Sequence, residues 1–297
     1  MAPRRFLALF VLIALALAAA AQEGSIEKPL RIGFNGGDSP GIIRIKANAF
    51  SAFLEEKSGI FFKPVIAESY SQLIRFIGEG RVDFAWLSPL GLITAEETGD
   101  ARVLLKAVRG GQPYYWSVIL VRRDSNLREL GDLKGKRFAF THLGSTSGYV
   151  IPKANLMDKG IDPDEFFGEV VFAGGHRQVV QMVLDGTVDA GATFADHPRG
   201  LVGSWTSEEF HPREEAAQLK PIFISEKIPG DTFTATGSMA ERDPEMVSRV
   251  VEALLLMGDS RPGQVILQDL YNIDSLTAAR SEDYDPVREA FSQVFGR

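Results

Sequence analysis

The sequence predicts an α/β protein of two lobes, each a mostly parallel sheet flanked by helices, joined by two hinge crossings with a cleft between them. Three observations predict it. Strand and helix patterns alternate along most of the chain. Segment 67–83 (AESYSQLIRFIGEGRVD) and segment 173–189 (AGGHRQVVQMVLDGTVD) follow one plan: a short loop, an amphipathic helix, a glycine, then Val-Asp opening an apolar strand. The length of 297 residues exceeds one small core and fits two lobes.

The elements follow in order. Leu30–Phe34 reads as a strand ending in the loop Asn35–Pro40, and Ile43–Lys57 as a helix closed by Gly59. Phe61–Ala67 is the next strand, and Tyr70–Ile77 a helix that Ser69 can cap. Tyr70 to Asp83 spans thirteen positions, as does His176 to Asp189, so the two units have equal spacing. Tyr114–Val121 is rich in aromatic and β-branched residues and reads as a strand leading toward the second lobe. Pro221–Ile224 reads as the return. The expected boundaries are 28–120 for the first part of lobe 1, 121–224 for lobe 2, and 225–297 for the rest of lobe 1. Helices at Glu245–Met257 and Asp285–Phe295 are expected to pack back on lobe 1. Clefts between lobes are preferred places for small ligands.

Composition excludes several functions. With 45% hydrophobic and 24% charged residues the chain is an ordinary globular one. It has no cysteine, so it holds no disulfide, thiolate metal site, thiol nucleophile or acylated lipoprotein anchor. A net charge of −7 argues against broad binding to nucleic acid but permits a small anion site. Residues 1–21 combine Arg4 and Arg5, an apolar stretch Phe6–Ala18 and Ala19-Ala20-Ala21. This is the pattern of a cleaved secretory signal peptide, and its apolar run falls short of the ~20 residues that span a bilayer. The expected location is periplasmic.

The chemistry concentrates at Gly144-Ser145-Thr146-Ser147-Gly148-Tyr149, between the strand Arg137–Phe140 and a helical stretch. Three hydroxyls at a helix start can direct O–H and N–H groups at a tetrahedral oxyanion. A simple cap would use only one of them. Pro152 implies that Ser145–Val150 forms a separate first turn. His176, opening a helix after Gly174-Gly175, can donate to the same anion or serve as a surface or capping residue. Asp196 follows the strand Ala190–Ala195, and Asp231 lies in Ile228-Pro229-Gly230-Asp231. If both face the cleft they disfavour a bare dianion and favour a ligand carrying an ammonium or an acidic proton. His142, His197 and His211 share no metal-ligand spacing, so neither a metal nor another cofactor is expected. Gly144–Gly148 puts Thr146 where a hydrolase elbow needs serine, and Gly131–Arg137 (GDLKGKR) lacks P-loop spacing.

Five segments in order resemble the phosphonate-binding periplasmic proteins of ABC importers, a family serving phosphate, phosphite and phosphonate uptake. They are Tyr115-Trp116-Ser117-Val118, Ser145–Tyr149 with Pro152, Ala173–His176, Val188-Asp189-Ala190 and Ile228–Asp231, within residues 30–260. The resemblance implies a hinged type II periplasmic binding-protein fold that closes on its ligand and performs no catalysis. It implies that Ser145, Thr146 and Ser147 hold phosphonate oxygens with His176 as a donor. Tyr70, Ser88 and Tyr115 would line the cleft, while Asp231 and the shorter Asp196, standing where relatives carry Glu, would meet an amino group. Phe194 stands where a more polar residue is usual. The implied ligand is a phosphonate, such as 2-aminoethylphosphonate, or a related phosphorus oxyanion, and the implied partners are a permease and its ATPase. A sensing module for a signalling receptor is the alternative from the same residues. A monomer or weak dimer is expected.

Overall fold

The computed structural model describes residues 22–37, 40–98, 100–200, 202–206 and 211–296. The signal-peptide reading at 1–21 and part of the loop Asn35–Pro40 lie outside them. Strand β1 (Leu30–Asn35) leads to helix α1 (Pro40–Ser58), β2 (Phe62–Ala67), α2 (Tyr70–Gly78), β3 (Phe84–Leu87), α3 (Pro89–Glu97) and β4 (Ala101–Val108). The chain crosses into β5 (Tyr114–Arg122), then β6 (Arg137–Phe140), α4 (Ile151–Asp158), β7 (Glu169–Phe172), α5 (His176–Leu184), β8 (Ala190–Ala195) and β9 (Leu219–Pro229). It returns through β10 (Thr232–Thr236), α6 (Pro244–Asp259), α7 (Arg261–Tyr271), β11 (Ser275–Ala278) and α8 (Asp285–Phe295).

These strands form two sheets, ordered β11-β4-β10-β3-β1-β2 and β7-β6-β8-β5-β9. Each has a parallel core, β2-β1-β3 or β7-β6-β8. Antiparallel neighbours join where the chain passes directly between sheets without a crossover helix. Side chains alternate between two buried faces, as period-two strands require. Phe84 and Trp86 face a core with Phe50, Leu54, Val250 and Leu267, whereas Ala85 and Leu87 face Leu73, Phe76 and Ile77. In the other sheet Val118 and Leu120 meet Val179, Val180 and Val183 of α5, while Ile119 and Val121 join a core with Ile151 and Leu156 of α4. Each such apolar side chain contributes about 1.5–3 kcal/mol by leaving water.

The equal spacing of the two segments has a structural counterpart. Asp83, at the entry to β3, accepts from the Arg31 backbone N–H at 2.8 Å and its Nε at 3.0 Å. Asp189, at the entry to β8, accepts from the Arg137 backbone N–H at 2.9 Å and its Nε at 3.3 Å. Both pairs are 52 residues apart. One offset of 106 residues takes Arg31 to Arg137, Asp83 to Asp189 and the pairing Ile32–Phe84 to Phe138–Ala190. The Arg137 hydrogen bond, with a smaller opposing effect from burial, holds the Asp189 carboxyl below its usual range.

The structure corrects two boundaries. Tyr114–Arg122 and Leu219–Pro229 belong to the second sheet along their whole lengths, because they pair with each other from Tyr114–Pro229 to Arg122–Leu219. The crossings therefore fall between Val108 and Tyr114 and between Pro229 and Thr232, not at 120/121 and 224/225. The second correction concerns α8, which packs on both lobes rather than on the first alone. Arg288 pairs with Glu96 on α3, while Phe295 meets the Tyr149 ring at 6.2 Å and Gln293 bonds Asp158 of α4 at 2.8 Å. Its buried face, Val287, Ala290 and Phe291, joins a core that spans both sheets.

The Asp83 carboxylate is only 9% exposed against 32% for Asp189. Asp83→Ala should therefore cost about 2–3 kcal/mol and Asp189→Ala about 1–2 kcal/mol, read as urea-unfolding free energies. Losses below about 0.5 kcal/mol for both would show that the strand-entry pairs are not structural.

Candidate functional site

A cavity of about 290 Å³ lies between the lobes. Its walls come from loops at the carboxyl ends of β1, β2, β3, β6 and β7, where open α/β sheets leave ligand-sized crevices, and from the two crossings. All nine residues singled out from the sequence line it: Tyr70, Ser88, Tyr115, Ser145, Thr146, Ser147, His176, Asp196 and Asp231. So do Asn35, Arg109 and His142, to which the sequence reading gave no site role.

The hydroxyl turn forms as a separate element. Thr146–Val150 is a wide turn in which Val150 N–H donates to the Ser145 carbonyl at 3.0 Å, and α4 starts at Ile151 with Pro152 in its first turn. Ser145 is the cap, its Oγ accepting from Gly148 N–H at 3.0 Å. Thr146 Oγ1 accepts from Leu90 N–H at 3.0 Å, a bond from the start of α3 across the cleft. Ser117 Oγ donates to the Ser147 carbonyl at 2.7 Å and fixes the turn from β5. As the acceptor in its bond, Ser145 keeps its hydroxyl hydrogen to donate. Gly148 makes the turn possible, since a Cβ there would lie 2.3 Å from Thr141 Oγ1.

His176 opens α5, and its Nδ1 lies 2.9 Å from Thr193 Oγ1, itself 2.6 Å from Ser204 Oγ. Phe194 meets the imidazole edge-on at 5.0 Å. Burial, with a smaller effect of His142, pushes the His176 pKa down to about 3. The ring is therefore neutral at ordinary pH. When Thr193 donates to Nδ1, the proton is on Nε2, the remaining ring nitrogen of a residue that lines the cavity. An imidazole this reluctant to take a proton is a poor general base, which removes the base from any Ser–His–Asp reading.

Tyr70 opens α2, whose cap Ser69 accepts from Gln72 N–H. Its ring stacks with His142 at 6.2 Å, and burial with the Asp231 charge pushes its pKa up to about 12 despite a hydrogen bond with Asn35. Tyr115 is likewise pushed up, chiefly by burial and then by Asp231, against a hydrogen bond with Thr146. Both remain neutral phenols able to donate. Ser88 caps α3, its Oγ accepting from Gly91 N–H at 3.1 Å.

Arg109, at the start of the first crossing, changes the meaning of the two carboxylates. It donates from Nη2 to Asp231 Oδ2 at 2.7 Å and to the Tyr271 carbonyl at 3.3 Å, and its Nε lies 4.0 Å from Asp196 Oδ1. Burial works against its charge, but Asp231 and Asp196 outweigh that and raise the guanidinium pKa. Burial also raises the Asp196 pKa, with Arg109 opposing, and Asp196 Oδ1 is buried with no hydrogen-bond partner. Asp231 lies between β9 and β10, with its side chain partly exposed. Among the described residues no group of three or more His, Asp or Glu could hold a metal ion, and no helix is long and apolar enough to cross a membrane.

Parallel-cored lobes, two crossings and a donor-lined cleft define a two-lobed binding protein of the type II periplasmic class. The chain belongs to the family described as ABC transporter, phosphonate, periplasmic substrate-binding protein, whose family model matches residues 32–284. It is 29% identical over 207 residues to the phosphate-import protein PhnD of Mycolicibacterium smegmatis, a match covering 66% of this chain and 62% of that protein. It is 28% identical over 247 residues to the phosphonates-binding periplasmic protein of Escherichia coli, covering 82% and 70%. The structure of PhnD1 from Prochlorococcus marinus in complex with methylphosphonate superposes with a TM-score of 0.73 at 20% identity, covering 89% and 97%, and shows the shared fold.

The depressed His176 pKa sets a pH dependence. The unfolded chain takes up this proton below about pH 6.5 while the folded chain refuses it until about pH 3. Stability from this group is complete above pH 6.5 and falls as pH falls, by up to about 1.4 kcal/mol per pH unit. Urea midpoints between pH 7 and 4 should decline less steeply in His176→Gln than in the wild type, and parallel declines would contradict the buried neutral ring.

Proposed function

We propose that the protein captures a phosphonate in the interlobe cavity and delivers it to an ABC permease powered by its ATPase. It works in the periplasm after removal of residues 1–21. The observation that carries this reading is the convergence of the Ser145-Thr146-Ser147 turn and His176 on one cavity. Hydroxyl O–H groups, the start of a helix and a neutral imidazole N–H bind an anion without a mobile cation. Ser88 and Tyr70 from the first lobe and Tyr115 from the start of β5 complete the wall, so a bound anion would draw both lobes together. The Leu90–Thr146 bond already spans the gap at the same place. The family membership supports phosphorus oxyanions over other tetrahedral anions.

Calorimetric titration tests the reading. Methylphosphonate should bind, phosphate should bind more weakly, and Ser147→Ala should weaken methylphosphonate about 10–100-fold, the worth of one hydrogen bond to a charged group. No heat from any phosphorus oxyanion would overturn the reading. Phosphate binding as tightly as methylphosphonate would replace the phosphonate with phosphate itself.

A further inference from the structure

We infer that Arg109 is a built-in counter-ion that fills the cationic subsite of the cleft, so that the protein selects phosphonates whose substituent is small and uncharged and discriminates against aminoalkylphosphonates. This rests on the phosphonate reading and makes it more specific.

Two carboxylates facing one cavity would ordinarily invite a ligand ammonium. Here a guanidinium from the protein's own chain stands between them. Its side chain is 14% exposed and that of Asp196 12%, so both charges are largely removed from water. The bond to Asp231 is a short charge-assisted one, and the Tyr271 carbonyl holds the same nitrogen. An incoming ammonium at Asp231 would compete with Arg109 for a carboxylate whose charge is already matched, and displacing the guanidinium would leave it desolvated and short of its partner. The ammonium's attraction to the two carboxylates is reduced as well, because Arg109 already offsets one of their charges.

The remaining surroundings agree. Arg109 and Asp196, with Asn35, Gly37, His176 and Phe194, line both the anion cavity and a neighbouring cavity of about 800 Å³, so the pair lies where the two compartments meet. A charged tail extending from the inner pocket meets it directly. A carboxylate tail is disfavoured as well, since Asp196 and Asp231 outnumber Arg109 by one negative charge. Phe194 also lines the cavity, edge-on to His176, and its apolar ring suits hydrogen or a short alkyl group on phosphorus.

The test is a titration of wild type and Arg109→Gln with methylphosphonate and 2-aminoethylphosphonate. Wild type should prefer methylphosphonate by about ten-fold or more, and Arg109→Gln should shift the ratio of the two affinities by at least about ten-fold toward the amine. Arg109→Lys, which keeps the charge, should retain the wild-type order if the glutamine variant fails to fold. Tighter binding of 2-aminoethylphosphonate by wild type would overturn the inference while leaving the phosphonate reading intact. So would a ratio unchanged by Arg109→Gln. Failure of both ligands to bind wild type would remove the phosphonate reading and the inference together.

Discussion

The pairing of Arg109 with Asp231 at the hinge is the interaction on which the electrostatics of the cleft depend. Without it, two carboxylates would face a cavity whose other walls are arranged to donate to an anion. With it, one negative charge is matched, and the field near the hydroxyl turn is set by N–H and O–H dipoles rather than by net charge. A chain with a formal charge of −7 thus presents a cavity wall rich in N–H and O–H donors, with no lysine and a single arginine, itself paired with Asp231. The same bond ties the first crossing to the second, since Arg109 follows β4 and Asp231 precedes β10.

The donors reach their places through a structural repetition. The 106-residue offset that relates Arg31–Asp83 to Arg137–Asp189 also takes Tyr70, the first residue of α2, to His176, the first residue of α5. Equivalent helix starts in the two lobes therefore supply a phenol from one and an imidazole from the other. Offset equivalence also relates Ser88, the cap of α3, to Phe194 at the end of β8. One plan, used twice, gives a polar wall in one lobe and an apolar one in the other at the same relative position. The last helix contacts both lobes, so any separation of the lobes must work against those contacts.

Much of this was legible in the sequence. Alternating patterns gave the lobes, the matched segments gave their shared construction, and the hydroxyl turn with Pro152 gave the separate wide turn before α4. Arg109 was not legible. It stands as a lone arginine before Gly110-Gly111, a context that reads as a solvated turn, and its partner Asp231 is 122 residues away. The signal was indirect: two carboxylates assigned to a cavity that binds an anion require a cation somewhere. The crossing positions were missed because a strand that begins at a hinge looks like any other strand until its partner is known. For α8, the apolar face is evident, but nothing local indicates that two lobes share it.

A crystal structure of the protein with methylphosphonate tests the account most directly. In that complex the phosphonate oxygens should lie within hydrogen-bond reach of Thr146, Ser147 and His176 Nε2, with Arg109 still bonded to Asp231. An anion bound by the Arg109 guanidinium, or one seated outside this cavity, would contradict it.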